Sequence, residues 1–306
     1  MVAAVFPGQG SQKPGMGREL AEAYPAADRI FQEVSNSVGR DLRALCWESD
    51  EETLRQTDNA QLALYTVGVA AWTVLREAAP GKVSAVAGHS VGEYCALVAA
   101  GVFDVEEGAL LVQVRGGLMA SAGQTAPGAM AAVLGLDLEP LEQACEAAGG
   151  VVVVANDNCP GQLVISGERD AVERAGKEAT ALGAKRVIPL NVSGAFHSRL
   201  MAEPAAEMRK ALDGYSPKAP NLRIYSNVTS ELAEEGFAWP ELLERQLASP
   251  VRWTESIQHM VRDGVTTFIE CGAGDVLTGM IRRIDRSVTT AKVGDPASLA
   301  ATIQLV

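Results

Sequence analysis

The segment Val86-Ala87-Gly88-His89-Ser90-Val91-Gly92-Glu93-Tyr94 sets a serine between two glycines, where a short apolar run gives way to helical patterning. A serine on such a strand-to-helix turn is lifted clear of the backbone, and the flanking glycines permit the sharp turn and close helix packing. Its hydroxyl is a candidate nucleophile. The helix that follows offers free N–H groups at its start, and the Val91 amide is placed to stabilise an oxyanion beside Ser90. The competing reading is a tight structural turn carrying an inert serine.

A serine hydroxyl needs a base at neutral pH. The chain has three histidines, His89, His197 and His259. His89 adjoins the serine, so its side chain is expected to point away along the turn and to be structural. His259 lies in the helical stretch IQHMVRDG and is expected at the surface or in packing. His197 sits in SGAFHSRLM, in a glycine-containing turn that suits a residue held at a cleft, and is the candidate base. Arg115 lies in VQVRGGLM on an expected helix. A lone arginine usually belongs to a solvated face, but Gly116 and Gly117 permit close approach on that side.

The loop FPGQGSQ resembles the start of a phosphate-binding turn. Gly8 and Gly10 fit, but Lys13 stands where a dinucleotide fingerprint has its third glycine, and no GK[ST] follows. A nicotinamide cofactor and a nucleoside triphosphate are therefore disfavoured. Free N–H groups in that loop could still complete an oxyanion hole.

These groups need elements to hold them. Val2 to Phe6 and Val83 to Ala87 read as short buried strands, with helical patterning at 18–38, 61–79 and 92–100. Alternating strands and helices point to an α/β core with a mostly parallel sheet, of the α/β-hydrolase-like kind. The composition shifts at 122–128 (AGQTAPG), which reads as a boundary. From there to about 192 the order is β-α-β-β-α-β: strands at 130–134, 151–155, 162–166 and 185–190, helices at 138–148 and 171–182. That is the ferredoxin-like signature. The α/β pattern then returns, with strands at 223–226 and 266–270 and helices at 240–247, 253–262 and after CGAGD to about 284. The expected organisation is a large catalytic domain, 1–126 and 193–306, with a small ferredoxin-like subdomain, 127–192, inserted in it.

The chain has 306 residues, 47% hydrophobic and 21% charged, which is ordinary for a globular protein. A formal net charge of -12 disfavours nucleic acid and anionic membranes as partners. The five cysteines (Cys46, Cys95, Cys145, Cys159 and Cys271) are scattered, odd in number and without zinc-like spacing. They are expected as buried thiols in a reducing cytoplasm. The N-terminal stretch has no signal-peptide pattern, and no apolar run is long enough to span a membrane.

Taken together, FPGQGSQ, GHSVGEY, QVRGGLM, GAFHSRLM, RQLASPVRW and ECGAGDVLTGM resemble the malonyl-CoA:acyl-carrier-protein transacylases of fatty-acid synthesis and the related acyltransferase domains of polyketide synthases. The resemblance covers nearly the whole chain, with the motifs in the family's order. It implies Ser90 as nucleophile and His197 as base, without an acidic triad member. It implies an oxyanion hole from the Gln9 and Val91 amides, Arg115 on the malonyl carboxylate, and a carbonyl near Gln246 orienting the imidazole. It further implies that Phe196 and Val91 favour malonyl over branched extender units. The implied partners are malonyl-CoA and an acyl carrier protein, with no cofactor, no metal, and a monomeric enzyme. Lys185, Arg186, Arg199 and Arg282 flank the site segments and are expected to meet the acidic carrier. The rival reading is a serine esterase or thioesterase of the α/β-hydrolase type, for which His259 would be the late histidine. A catalytically dead scaffold is disfavoured by the full set of candidate groups.

Overall fold

The computed structural model describes residues 1–125, 128–192, 194–233 and 238–306. It begins with β1 (Val2–Phe6), α1 (Arg18–Ala23), α2 (Pro25–Val38), α3 (Leu42–Trp47), α4 (Glu51–Arg55) and α5 (Thr57–Ala78). Strand β2 (Val83–Gly88) leads into α6 (Gly92–Ala99) and α7 (Val105–Thr125). Then follow β3 (Ala129–Leu134), α8 (Leu138–Ala148), β4 (Val152–Cys159), β5 (Gln162–Gly167), α9 (Arg169–Ala181) and β6 (Arg186–Pro189). A 3-10 turn at Arg199–Met201 precedes α10 (Ala202–Leu212), β7 (Arg223–Tyr225), α11 (Trp239–Ala248), β8 (Val251–Arg252) and α12 (Trp253–Arg262). Last come β9 (Thr267–Cys271), α13 (Val276–Ile284), β10 (Thr289–Val293) and α14 (Pro296–Ile303).

The first sheet has the order β10-β9-β1-β2-β7, and every pairing in it is parallel. Its strands are near-continuous apolar runs because both faces are covered. Alternation along β1 sends Ala4 and Phe6 into the core shared with α2, α5 and α7, and Ala3 and Val5 into the core shared with α12 and α13. The strand order reverses direction at β1. In open parallel sheets such a switch point leaves a crevice at the carboxyl ends of the strands. The glycine-rich loop after β1 and the serine turn after β2 both open there.

The second sheet has the order β6-β3-β5-β4-β8. Its first four strands pair antiparallel, and α8 and α9 cover one face through Leu141, Ala144, Val172 and Ala175. The fifth strand is β8, parallel to β4 through Asn156↔Val251 and Asp157↔Arg252. The sheet that belongs to the βαββαβ unit is thus extended by a piece of chain far along the sequence. Its opposite face turns Met130, Ala132 and Val164 towards the carboxyl ends of the first sheet.

One expectation needs correction. The helical region at 18–38 is two helices, because Tyr24 is extended (φ -127°, ψ 110°) and Pro25 starts the second. Helix α7 runs through AGQT to Thr125, so the first part of the 122–128 stretch is helical. The two division points, 126/127 and 192/193, fall at residues 126–127 and 193, outside the described residues.

Candidate active site

Ser90 sits between the end of β2 and the start of α6 with φ +53°, in left-handed backbone that side chains rarely adopt. The glycines around it are sterically required. A Cβ on Gly88 would lie 1.9 Å from the Gly92 carbonyl carbon, and one on Gly92 would lie 2.2 Å from the Phe6 oxygen. The turn is also clamped from outside. The Ser90 N–H donates to Oδ1 of Asn227 at 2.7 Å, and Nδ2 of Asn227 donates to the Gly88 oxygen at 2.6 Å. Asn227 follows β7, the strand paired with β2, and so lies level with the serine.

His197 also has a positive φ, +57°, and is 4% exposed. Its Nε2 lies 2.8 Å from Ser90 Oγ. Its Nδ1 lies 2.9 Å from the Gln246 oxygen and 3.2 Å from the Ser249 oxygen. Carbonyl oxygens only accept, so Nδ1 carries the proton and the Nε2 lone pair faces the serine hydroxyl. Burial, and after it the neighbouring Arg115 charge, lower the imidazole pKa to about 3 against the opposing pull of its two carbonyl partners. The ring is neutral at physiological pH and is free to accept a proton.

Arg115 is buried on α7, 1% exposed. Nη1 donates to Oε1 of Gln61 at 2.6 Å, and Nη2 donates to Oε1 of Gln246 at 2.8 Å and to Ser90 Oγ at 3.1 Å. Its Nε is buried without an acceptor. Close approach uses only the first of the two glycines: a Cβ on Gly116 would lie 3.0 Å from Asp58 Cα, while Gly117 faces open space. Gln246 is fully buried at the centre of the site. Its main-chain oxygen faces His197, its Oε1 faces Arg115, and its Nε2 donates to the Ser90 oxygen at 3.0 Å and to Glu93.

A cleft of about 500 Å³ opens over Ser90 and His197, with Gln9, Phe196, Val192 and Met119 among its walls. The amides of Gln9 and Val91 have no acceptor among the described residues. His89 turns its ring away from the serine, with Nε2 2.8 Å from Oδ1 of Asn158 and an edge-on contact to Trp253. Burial lowers its pKa, against the pull of the Asn158 contact. His259 is on α12 with Nδ1 2.7 Å from the Ser230 oxygen, away from the cleft walls.

Sequence reasoning thus named Ser90, His197, Arg115, Gln9, Val91, Gln246 and Phe196; the fold joins Ser90, His197, Arg115 and Gln246 in one hydrogen-bonded group, sets Val91 next to the serine, and puts Gln9 and Phe196 on the cleft wall. Sequence reasoning missed Asn227 and Gln61. The available signal for Asn227 was its position just past a short strand, YSNVT, at the same end of the sheet as the serine.

A strained serine, a neutral histidine aimed at its hydroxyl and, among the described residues, free amides beside it and no carboxylate behind the histidine can form and release an ester. On a parallel α/β sheet, that defines a serine-dependent acyl-transfer site. Residues 4–304 match the family described as acyl transferase domain. The chain is 44% identical over 306 residues to the malonyl CoA-acyl carrier protein transacylase of Bacillus subtilis (strain 168), covering 99% of this chain and 96% of that protein. The chain belongs to this acyl transferase family, among its malonyl CoA-acyl carrier protein transacylases. Its fold matches an acyl carrier protein S-malonyltransferase from Vibrio cholerae at TM-score 0.94 and 44% identity, covering 98% of this chain and 99% of that one. It also matches a malonyl-transacylase solved in complex with its type II PKS acyl-carrier protein, at TM-score 0.95 and 42% identity, covering 100% and 99%.

Proposed function

We propose that this chain takes the malonyl group of malonyl-CoA onto Ser90 and passes it to the phosphopantetheine thiol of an acyl carrier protein. The observation that carries the reading is the 2.8 Å contact from Ser90 Oγ to an Nε2 whose opposite nitrogen is committed to two carbonyl oxygens.

In the first half-reaction Nε2 of His197 takes the hydroxyl proton as Oγ attacks the thioester carbon. The Gln9 and Val91 amides stabilise the tetrahedral oxyanion; such a donor typically contributes about 2.7–4 kcal/mol. The C–S bond breaks, and the imidazolium gives its proton to the departing CoA sulfur. In the second half, His197 takes the proton of the carrier thiol, the sulfur attacks the malonyl ester, and the proton returns to Oγ. Arg115 holds the free carboxylate by charge-assisted hydrogen bonds, which its unused Nε–H favours. Phe196, 4% exposed on the cleft wall, narrows the space beside C2 of the acyl group. No cofactor takes part.

Residues 1–126 and 193–306 act as the catalytic domain, and 127–192 as a subdomain that closes one side of the cleft. The protein works as a monomer in the cytoplasm, with Lys185, Arg186, Arg199 and Arg282 turned to the carrier. Intact-mass measurement tests the reading. Malonyl-CoA should add one malonyl group at Ser90, and holo carrier protein should remove it. Free malonate released as fast without carrier as malonyl-carrier forms with it would favour the esterase reading.

A further inference from the structure

Arg115 and Glu93 are both 1% exposed, and neither has an oppositely charged partner within ion-pair reach among the described residues. Leaving two buried charges unpaired is costly. One side chain lies between them. The fully buried Gln246 amide presents Oε1 to Nη2 of Arg115 at 2.8 Å and Nε2 to Oε2 of Glu93. The other carboxylate oxygen of Glu93 accepts from the Asn227 N–H at 2.9 Å. The series carboxylate, amide, guanidinium is an ion pair with a carboxamide inserted in it.

The insertion has a chemical reason. A direct Glu93–Arg115 pair would occupy the guanidinium fork that a substrate carboxylate needs. With the amide between, the cation is partly balanced while its Nε–H stays without an acceptor. The amide also has one correct flip. Its Nε2 faces two acceptors, the Ser90 oxygen and Glu93, so Oε1 must face Arg115. Turned over, it would set an NH2 group against the guanidinium.

We propose that Glu93 is a positioning residue for substrate choice: it fixes the Gln246 flip and serves as the distant counter-charge that holds Arg115 ready for a carboxylate-bearing acyl group. This rests on the reading of Arg115 as the carboxylate ligand. Burial pushes the Glu93 carboxyl up to about 7, while the Asn227 N–H, the Gln246 amide and Arg115 favour its ionised form.

The experiment compares malonylation and acetylation of Ser90 by intact mass in wild type, Glu93→Gln, Gln246→Met and the double variant. A glutamine at 93 cannot accept from both the Asn227 N–H and the Gln246 amide in the present arrangement. The Glu93→Gln change should lower the malonyl-to-acetyl rate ratio by about tenfold or more, the scale of one charge-assisted hydrogen bond. Gln246→Met should lower it as well, and adding Glu93→Gln to that variant should change the ratio by less than it does in wild type. Equal losses with both substrates, or independent effects that multiply in the double variant, would overturn the proposal. Retained acetylation in Glu93→Gln shows that Ser90 and His197 still work, so failure of the relay is distinguishable from failure of the nucleophile assignment. If Arg115→Ala leaves the ratio unchanged, it is the carboxylate-ligand reading itself that fails. Should Glu93→Gln not fold, the ratio in Glu93→Asp decides: a fall below wild type supports the relay, and an unchanged ratio with both rates reduced overturns it.

Discussion

Ser90 and His197 face each other at 2.8 Å, each from left-handed backbone, φ +53° and +57°. Such conformations cost about 1–3 kcal/mol each and persist only where the surroundings enforce them. Here Asn227 clamps the serine turn, and the Leu247 oxygen accepts from the His197 N–H at 3.1 Å. Ser90→Ala should keep the fold and lose the malonyl adduct, checked by intact mass and peptide mapping. His197→Ala should slow acylation by about two to four orders of magnitude, the usual contribution of a general base. An adduct on another residue in Ser90→Ala would refute the assignment.

Burial and Arg115 lower the His197 pKa to about 3, so protonation should not limit the free enzyme until far below the ordinary histidine range. Acetyl-CoA is the suitable probe because it leaves the carboxyl groups around Arg115 out of the profile. Its acylation rate should stay flat from pH 8 to 5, where an unperturbed imidazole would already have lost about thirtyfold. The same shift has a cost in stability. The folded state holds His197 neutral while the unfolded chain protonates it, so its contribution turns against folding as pH falls from 6.5 towards 3. A break near 6.5 in the acetylation profile would contradict this account.

Asn227→Ala should remove the acceptor for the Ser90 N–H and the donor to the Gly88 oxygen together. Leaving buried backbone groups unsatisfied costs about 1–3 kcal/mol each. The melting temperature should fall, and acylation by malonyl-CoA and acetyl-CoA should slow by the same factor, since the elbow serves both. A malonyl-specific loss would tie Asn227 to Arg115 instead.

The elbow was legible because its requirement is local: two glycines and a serine between an apolar run and a helix. His197 was legible by elimination among three histidines. Asn227 was not, because its contacts reach Ser90 across 137 positions and an asparagine after a strand has many uses. The βαββαβ order was readable from periodicity, but β8 is two residues long, too short to have a period, so its place at the edge of the second sheet was hidden. The short helices α3 and α4 depend on the side-chain caps Asp41 and Asp50 more than on any apolar repeat. The buried triple Glu93-Gln246-Arg115 was unreadable for the opposite reason: polar residues on three separate helices give no pattern until the helices meet.

Phe196 packs its ring against Gly194, where an added Cβ would lie 2.5 Å from a ring carbon, and lines the cleft beside His197. Phe196→Ser should widen the space at C2 of the acyl group and raise methylmalonyl-CoA turnover relative to malonyl-CoA. One methyl group is worth about 1–3 kcal/mol of discrimination, so the ratio should move by one order of magnitude or two. Competition between the two thioesters for one enzyme sample, read by adduct mass, measures it. An unchanged ratio would place the selectivity elsewhere on the wall.

Arg115→Ala separates the carboxylate contact from the acyl chemistry. Malonyl-CoA brings an ionised carboxylate to Ser90, whose Oγ already accepts from Nη2 of Arg115, a buried cation with an Nε–H that has no acceptor. Removing one partner of a buried charged contact costs about 2–5 kcal/mol, so malonylation of Ser90 should fall by two orders of magnitude or more. Acetyl-CoA has no carboxylate to lose. Two effects then work in its favour. Arg115 no longer donates to Ser90 Oγ, a contact that drains electron density from the nucleophile. The positive charge that depresses the His197 pKa is also gone, so the imidazolium formed during attack is opposed by one cation fewer. Against these stands the loss of partners for Gln61 and Gln246, which should lower the melting temperature without being specific to either substrate. The expected pattern is a collapse of malonylation with acetylation kept or raised. Equal losses with both substrates would mean that Arg115 supports the fold or contacts CoA, and the carboxylate assignment would have to be withdrawn.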